Sequence, residues 1–503
     1  MTSIKTATFL LITFSILSKI LGVLREVIIA YLFGTSANLD AYIISMTIPN
    51  NIMHLIISST FLVPFISIFS KHLANNNELQ AWRFASNIIN MCVILFCLFI
   101  IPITILSAPY IVKLFAPGFK QETYNLAVSL TRIMLPSMIF FSLVTIVQGV
   151  LNSYQYFTTP GLKSIVLNLT MITTMILGYR FIGIYSLAIG FLLSSIFQIL
   201  VQLPALLKRM KRYFFNISFD EDFINFFNFF LPLVIITGIN ELNILVDKMI
   251  ASMLSEGSIS ALNYSSNLMQ ASENIFGVSL ATVLFPKLTT LKHKGNLEEF
   301  ENILSKGLTI LFFSTLPITF LYVFFGEPII KLVFQRGAFN SSSTLITNKA
   351  LFYYSFAAFF MSANYVLLRA LYALEKVKVV VVVASMSLLI NLILNILLSK
   401  FIGIGGITLA TSISTGVLFL SAFSVITNQI EIRNFNKMIK NFLRIFSTQC
   451  ISFFIGWLVY LILKINFIFA IFISFIVFVF LSSIFKIEEY FWIKNFLVSK
   501  FKV

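Results

Sequence analysis

Charge is scarce in this chain. Of its 503 residues only 11% are Asp, Glu, Lys or Arg, against 58% hydrophobic, whereas soluble domains carry roughly a quarter of their residues as charge. A water-soluble globule is excluded, and the mean hydropathy of +0.96 agrees. Cysteine is confined to Cys92, Cys97 and Cys450, and histidine to His54, His72 and His293. The three cysteines sit in apolar runs without metal-ligand spacing, so neither a disulfide framework nor a zinc site is expected, and they read as small buried apolar residues. The phosphate loop Gly-x-x-x-x-Gly-Lys-Ser/Thr, the pair His-Glu-x-x-His and the elbow Gly-x-Ser-x-Gly are all missing. That speaks against an ATPase or a hydrolase, and the chain is not read as an enzyme.

Long apolar runs are what the chain does have. Stretches long enough to cross about 30 Å of hydrocarbon recur from Thr6–Phe33 and Ala37–Phe69, through Gly161–Leu177 and Phe223–Leu254, to Ile465–Phe485, about fourteen in all. They predict an all-α polytopic membrane protein. The first run is too long and too charged for a cleaved signal peptide and is expected to remain in the mature protein. The net charge of +16 reports orientation rather than nucleic-acid binding. With the N-terminus inside, roughly 23 Lys and Arg fall on one side and roughly 8 on the other, and the excess marks the cytoplasm. Both termini are therefore expected to be cytoplasmic.

The chain also repeats itself. The segment from Pro109 to Phe119 is echoed from Pro328 to Phe339, and Arg180-Phe-Ile-Gly-Ile by Lys400-Phe-Ile-Gly-Ile. A weaker pair sets Arg25 and Asp40-Ala-Tyr42 against Asp247 and Leu262-Asn-Tyr264. A common offset of about 220 residues marks an internal duplication. An offset of about six helices keeps both copies in the same orientation, which predicts two pseudo-symmetric six-helix lobes followed by two C-terminal helices. The corresponding boundaries are residues 1–215, 216–432 and 433–503.

Charges inside apolar runs point to function. Lys19, Arg25 and Glu26 interrupt the first run, where a mid-membrane charge costs roughly 2.5–3.5 kcal/mol on insertion scales. Lys19, Gly22 and Glu26 share one helical stripe, and Ser18, Gly22 and Arg25 the adjoining one, so both stripes can line one cavity. Asp40 opens the second run, either as a helix N-terminal carboxylate favoured by the macrodipole or as a gate partner of Arg25 or Lys19. Beyond Pro49, which should kink that helix, Asn50 and His54 continue a polar stripe, although His54 reads more readily as a satisfied interior imidazole than as a proton carrier. In the second half, Asp247, Asn391, Asn395 and Thr411 offer oxygen atoms suited to a hard monovalent cation such as Na+. Interhelical hydrogen bonds of about 0.6 kcal/mol each account for the same residues equally well.

Several motifs then fall together: Ser18-Lys-Ile-Leu-Gly-Val-Leu-Arg-Glu26, Phe33-Gly-Thr-Ser-Ala-Asn-Leu-Asp-Ala-Tyr42, Ile48-Pro-Asn50, Ala116-Pro-Gly-Phe119, Gly257-Ser-Ile-Ser-Ala-Leu-Asn-Tyr264, Gln335-Arg-Gly-Ala-Phe339 and Leu368-Arg-Ala-Leu-Tyr-Ala-Leu374. Over nearly its whole length the chain resembles the MurJ (MviN) family of the multidrug/oligosaccharidyl-lipid/polysaccharide exporter superfamily. The resemblance implies a flippase that moves lipid II, a polyprenyl-diphosphate-linked peptidoglycan precursor, across the bacterial cytoplasmic membrane by alternating access. It implies a cationic cavity between the lobes and a groove for the lipid tail on the last two helices.

Carried over position by position, the substrate set is Lys19, Arg25, Glu26, Asp40, Asn50, His54, Arg132 and Asn267, with Asp247, Asn391, Asn395 and Thr411 as the Na+ set. Met53 and His54 stand where the family shows a basic pair, Asn267 where it shows a cavity arginine, and Asn395 at an acidic position. No cofactor is expected beyond Na+ or H+ as coupling ion. The expected partners are the lipid-linked saccharide, membrane lipids and the cell-wall synthesis machinery, with no nucleic acid, and the chain is expected to act as a monomer. The competing cargoes are another undecaprenyl-diphosphate-linked saccharide and, less favoured by the cations of the first helix, a drug.

Overall fold

The computed structural model of the chain describes residues 4–57, 59–430 and 435–492. Every regular element among them is a helix, one of the two ways in which a backbone in hydrocarbon satisfies its own hydrogen bonds. Ten helices are long and apolar enough to cross a membrane, or eleven if the pair Ser341–Ser355 and Ala357–Ala373, bent by 45°, counts as one. The described helices thus do not reach the expected fourteen on this measure. The two expected cytoplasmic termini lie at or beyond the ends of the described residues.

The chain forms two compact units. The first comprises Met1–Ser260 and Arg336–Asn340. Its helices are α1 (Ile4–Phe33), α2 (Ala37–Ile57), α3 (Ser59–Ala74), α4 (Glu78–Ile94), α5 (Ile101–Phe115), α6 (Gln121–Met134), α7 (Ser137–Ser153), α8 (Thr158–Ile182), α9 (Tyr185–Leu207) and α10 (Glu221–Ala251), with a π-helical stretch, Leu95–Ile100, joining α4 to α5. Although the duplication assigns α10 to the second half, it packs on α2, α3 and α5. Aromatic rings make that contact: Phe61, Phe65, Phe69 and Phe84 pack with Phe226 and Phe230 around buried Trp82, whose Nε1 donates to the Tyr154 hydroxyl at 3.1 Å. A buried indole needs such a partner.

The second unit comprises Ala261–Gln335 and Ser341–Val503. It contains most of α11 (Ser258–Ser272), then a π-helical stretch, Glu273–Val278, and α12 (Ser279–His293), α13 (Leu297–Phe334), α14 (Ser341–Ser355), α15 (Ala357–Ala373), α16 (Val377–Ile402), α17 (Ile404–Thr427), α18 (Phe435–Leu463) and α19 (Phe467–Ile484). The last two helices attach to α13 through Phe313, Phe320, Phe453 and Phe478. They cross each other closely at Gly456, where a Cβ would overlap Ser474 Oγ, a use of small residues common between membrane helices.

The duplicated Phe-Ile-Gly-Ile motif makes the same corner twice. Gly183, between α8 and α9, has φ 55° and ψ −128°; Gly403, between α16 and α17, has φ 64° and ψ −132°. Each glycine N–H closes the preceding helix, on Tyr179 O at 2.9 Å and on Ser399 O at 2.8 Å. Only glycine adopts this region of backbone space without strain.

Candidate functional site

A cavity of about 520 Å³ opens inside the first unit. Helix α2 supplies one wall through Tyr42, Met46, Asn50, Met53 and His54, whose spacing of four, four and three to four residues places them on a single stripe. Phe141 and Thr145 of α7, Leu167 and Met171 of α8, Phe191 of α9 and Arg25 of α1 complete it. The wall is largely apolar, so its few polar groups decide what can enter.

Arg25 is the cation of this cavity. Its Nη2 donates to Glu26 Oε1 at 2.7 Å, with the two side chains 26% and 15% exposed. Its Nε is buried and has no hydrogen-bond partner. A guanidinium held by one carboxylate still has donors to offer a phosphate, and its planar fork suits that geometry.

The polar residues of α2 divide between two faces. Asn50 and His54 reach the cavity, while Thr47 accepts from Lys248 Nζ of α10 at 2.7 Å. Glu241, also on α10, lies 3.6 Å from His54 Nδ1. With its amide oriented to donate, Asn51 Nδ2 is 3.2 Å from Glu241 Oε2. Glu241 thus ties the inner wall of the cavity to α10. Tyr42 and Thr145 are wall residues that the sequence reading missed, although Tyr42 lies on the stripe that Asn50 and His54 announce.

The other expected site residues lie elsewhere. Asp40 is 3% exposed; it accepts from Gly257 N and Ser260 N, each at 2.7 Å, and from Ser260 Oγ at 2.6 Å. It serves as a helix N-terminal carboxylate, but the helix it caps is α11 rather than its own. Beside it, Lys120 Nζ bonds Glu256 Oε1 at 2.7 Å, and that hydrogen bond and charge hold Lys120 above the ordinary lysine value. The contribution of the lysine to that pair is complete below the ordinary lysine pKa and is lost as pH rises through the elevated one, so Lys120 stays charged throughout the physiological range. Lys19 is exposed on α1, and exposed Arg132 bonds only weakly, Nε to Ile105 O at 3.4 Å. Neither belongs to the cavity wall.

Asn267 is half-buried on α11 in the second unit. Asn391, Asn395 and Thr411 come together there, Asn395 Nδ2 donating to Asn391 Oδ1 at 2.9 Å and Asn391 Nδ2 to Thr411 Oγ1 at 3.3 Å. Two of the oxygens a cation would use therefore accept from amides, and the three residues act here as bonds within and between helices. Asp247 belongs to the first unit. Among the described residues no group of three or more His, Cys, Asp or Glu could hold a metal ion.

The family described as Lipid II flippase MurJ matches residues 29–481. The chain belongs to the MurJ family. A Buchnera aphidicola subsp. Baizongia pistaciae protein named Probable lipid II flippase MurJ is 31% identical over 416 residues, covering 81% of this chain and 80% of its own. The Burkholderia cenocepacia Lipid II flippase MurJ is 27% identical over 423 residues, covering 80% and 79%. A solved structure of Lipid II flippase MurJ in an inward closed conformation superposes with a TM-score of 0.80 at 30% identity, covering 94% of this chain and 98% of that one. An inward-facing multidrug resistance MATE transporter of the MOP superfamily, 15% identical with a TM-score of 0.68 over 82% of this chain and 95% of its own, shares the fold. This MurJ-family chain is accordingly an all-α, multi-pass membrane protein.

Proposed function

We propose that this chain flips lipid II from the inner to the outer leaflet of a bacterial cytoplasmic membrane. The observation that carries the reading is Arg25, a half-buried guanidinium with an unpartnered donor on the wall of a cavity, in a chain of the MurJ family. The diphosphate of lipid II supplies the anion. Arriving beside Arg25, it competes with Glu26 for the guanidinium, and a carboxylate adjacent in sequence keeps the cation aimed while the cavity is empty. Asn50, Thr145 and Tyr42 offer hydrogen bonds to the sugar and phosphate oxygens. His54 is shared with Glu241.

Transport follows by alternating access. Asp40, Gly257 and Ser260 form a contact at the outer end of α2 that must open for release. With no nucleotide loop in the sequence, drive comes from the membrane potential, worth about 2.3 kcal/mol per charge per 100 mV, or from a Na+ or H+ gradient. Replacing Na+ by choline and collapsing the pH gradient, each at constant potential, separates these sources. The chain works as a monomer beside the enzymes that make and consume lipid II.

The test is complementation in cells depleted of their own lipid II flippase. Rescue by the wild-type chain and loss of rescue in Arg25→Ala at equal membrane expression is the expected result. Absence of rescue by a well-expressed wild type overturns the lipid II reading, and rescue by Arg25→Ala overturns the role of Arg25.

A further inference from the structure

One half-buried cation is not used by the site as described. Lys163 lies near the start of α8, in the apolar run Gly161–Leu177, and is only partly accessible. Its Nζ donates to Gln148 Oε1 of α7 at 2.8 Å. No carboxylate lies within ion-pair distance of it among the described residues. A cation taken out of water is normally matched by an anion, because a neutral amide returns little of the lost hydration. Among the described residues that counter-charge is missing.

Its position says where that charge would come from. Lys163, Leu167 and Met171 stand at i, i+4 and i+8, one stripe of α8, and the last two line the cavity that holds Arg25. Gln148 is three residues beyond the wall residue Thr145 on α7, again on one face. Helix α2 reaches His54 at the same end of the cavity, while Tyr42 and Arg25 stand at the other. The lysine therefore sits one helical turn beyond the wall, at the end where α7 finishes and α8 begins. Its four-carbon stem can carry the ammonium into the cavity once the Gln148 bond is given up.

We infer that Lys163 is a second anion-binding residue of this cavity, released from Gln148 to contact the phosphate groups of a polyprenyl-diphosphate cargo. The inference rests on the proposed function and deepens it. It also answers a difficulty raised by Met53, uncharged where the resemblance leads one to expect a basic residue: charge absent from α2 is supplied from α8. An amide is a suitable resting partner, since exchanging it for phosphate costs less than breaking a buried ion pair.

The experiment measures binding of undecaprenyl diphosphate and undecaprenyl monophosphate to purified full-length protein in lipid nanodiscs. Wild type, Lys163→Met, Lys163→Arg and Gln148→Leu are compared, each checked for thermal stability. Lys163→Met should weaken diphosphate binding about tenfold, flatten its dependence on salt and reduce the preference for diphosphate over monophosphate, whereas Lys163→Arg should bind within about twofold of wild type. Gln148→Leu, which frees the ammonium, should bind as tightly as wild type or more tightly. A stable Lys163→Met protein with wild-type affinity and salt dependence overturns the inference and marks Lys163 as a lysine that reaches the interface along its stem. If Lys163→Met is unstable, weak binding by a stable Lys163→Arg overturns it as well. Wild type binding undecaprenyl diphosphate but failing to rescue flippase-depleted cells removes lipid II as cargo and leaves the role of Lys163 standing. Wild type binding neither lipid overturns both.

Discussion

Single residues in this cavity carry unequal weight, and their partners explain why. Arg25 is poised because one carboxylate holds it and its Nε has none. Met53 shares the wall with it but brings no donor. Replacing Met53 with Arg should tighten binding of a polyprenyl diphosphate by about 1.5–3 kcal/mol, the usual worth of a hydrogen bond to a charged group, as measured by titration in nanodiscs. Asp40 acts differently: all three of its bonds are to groups of the Gly257–Ser260 segment. Asp40→Ala strands those donors and should lower stability by about 1–3 kcal/mol, read as a fall in melting temperature, while leaving diphosphate affinity of the folded protein unchanged.

Elements show how far a sequence motif specifies geometry. The two Phe-Ile-Gly-Ile corners share φ and ψ to within about ten degrees, so Gly183→Ala and Gly403→Ala should each cost about 1–3 kcal/mol and cost nearly the same. Unequal losses in a chemical-denaturation comparison would mean that the corners are not equivalent. The stripe Tyr42, Met46, Asn50, His54 is as legible as the corners, because a period near four residues on an unbroken helix leaves little freedom of placement. Helix α10 was not legible in the same way. Its charges were visible, yet their partners Thr47, Asn51 and His54 lie about 190 to 200 residues away in sequence, and no local pattern specifies a contact at that distance. Lys163 had the same signature as Lys19, a charge inside an apolar run. What separates them is that Lys19 is exposed while Lys163 is tucked between α7 and α8.

As a flippase, the molecule as a whole must open and close. Two contacts at one end of the first unit are available to test that: Asp40 on the α11 N-terminus and the exposed Lys120–Glu256 pair. A Lys120→Cys, Glu256→Cys double variant joined by a short cleavable thiol cross-linker should stop lipid II transport and regain it when the linker is reduced. Transport that continues through complete cross-linking would show that this end does not separate.

At this scale the division between sequence and structure is clear. Composition determined that the protein lives in a membrane, because a chain with so few charges has no other solvent, and the length of its apolar runs determined that it crosses as helices, whose backbone pairs within each segment. Spacing determined the duplication and its corners, and motif resemblance pointed to the family. Tertiary structure alone decided which charges face a cavity. A helix shows the same stripe to its neighbours whether they are lipid, another helix or a ligand, and only packing says which. It turned Asp40 inward to cap α11, left Lys19 and Arg132 outside the wall, and set Lys163 beside Arg25's cavity on a neutral amide, Gln148.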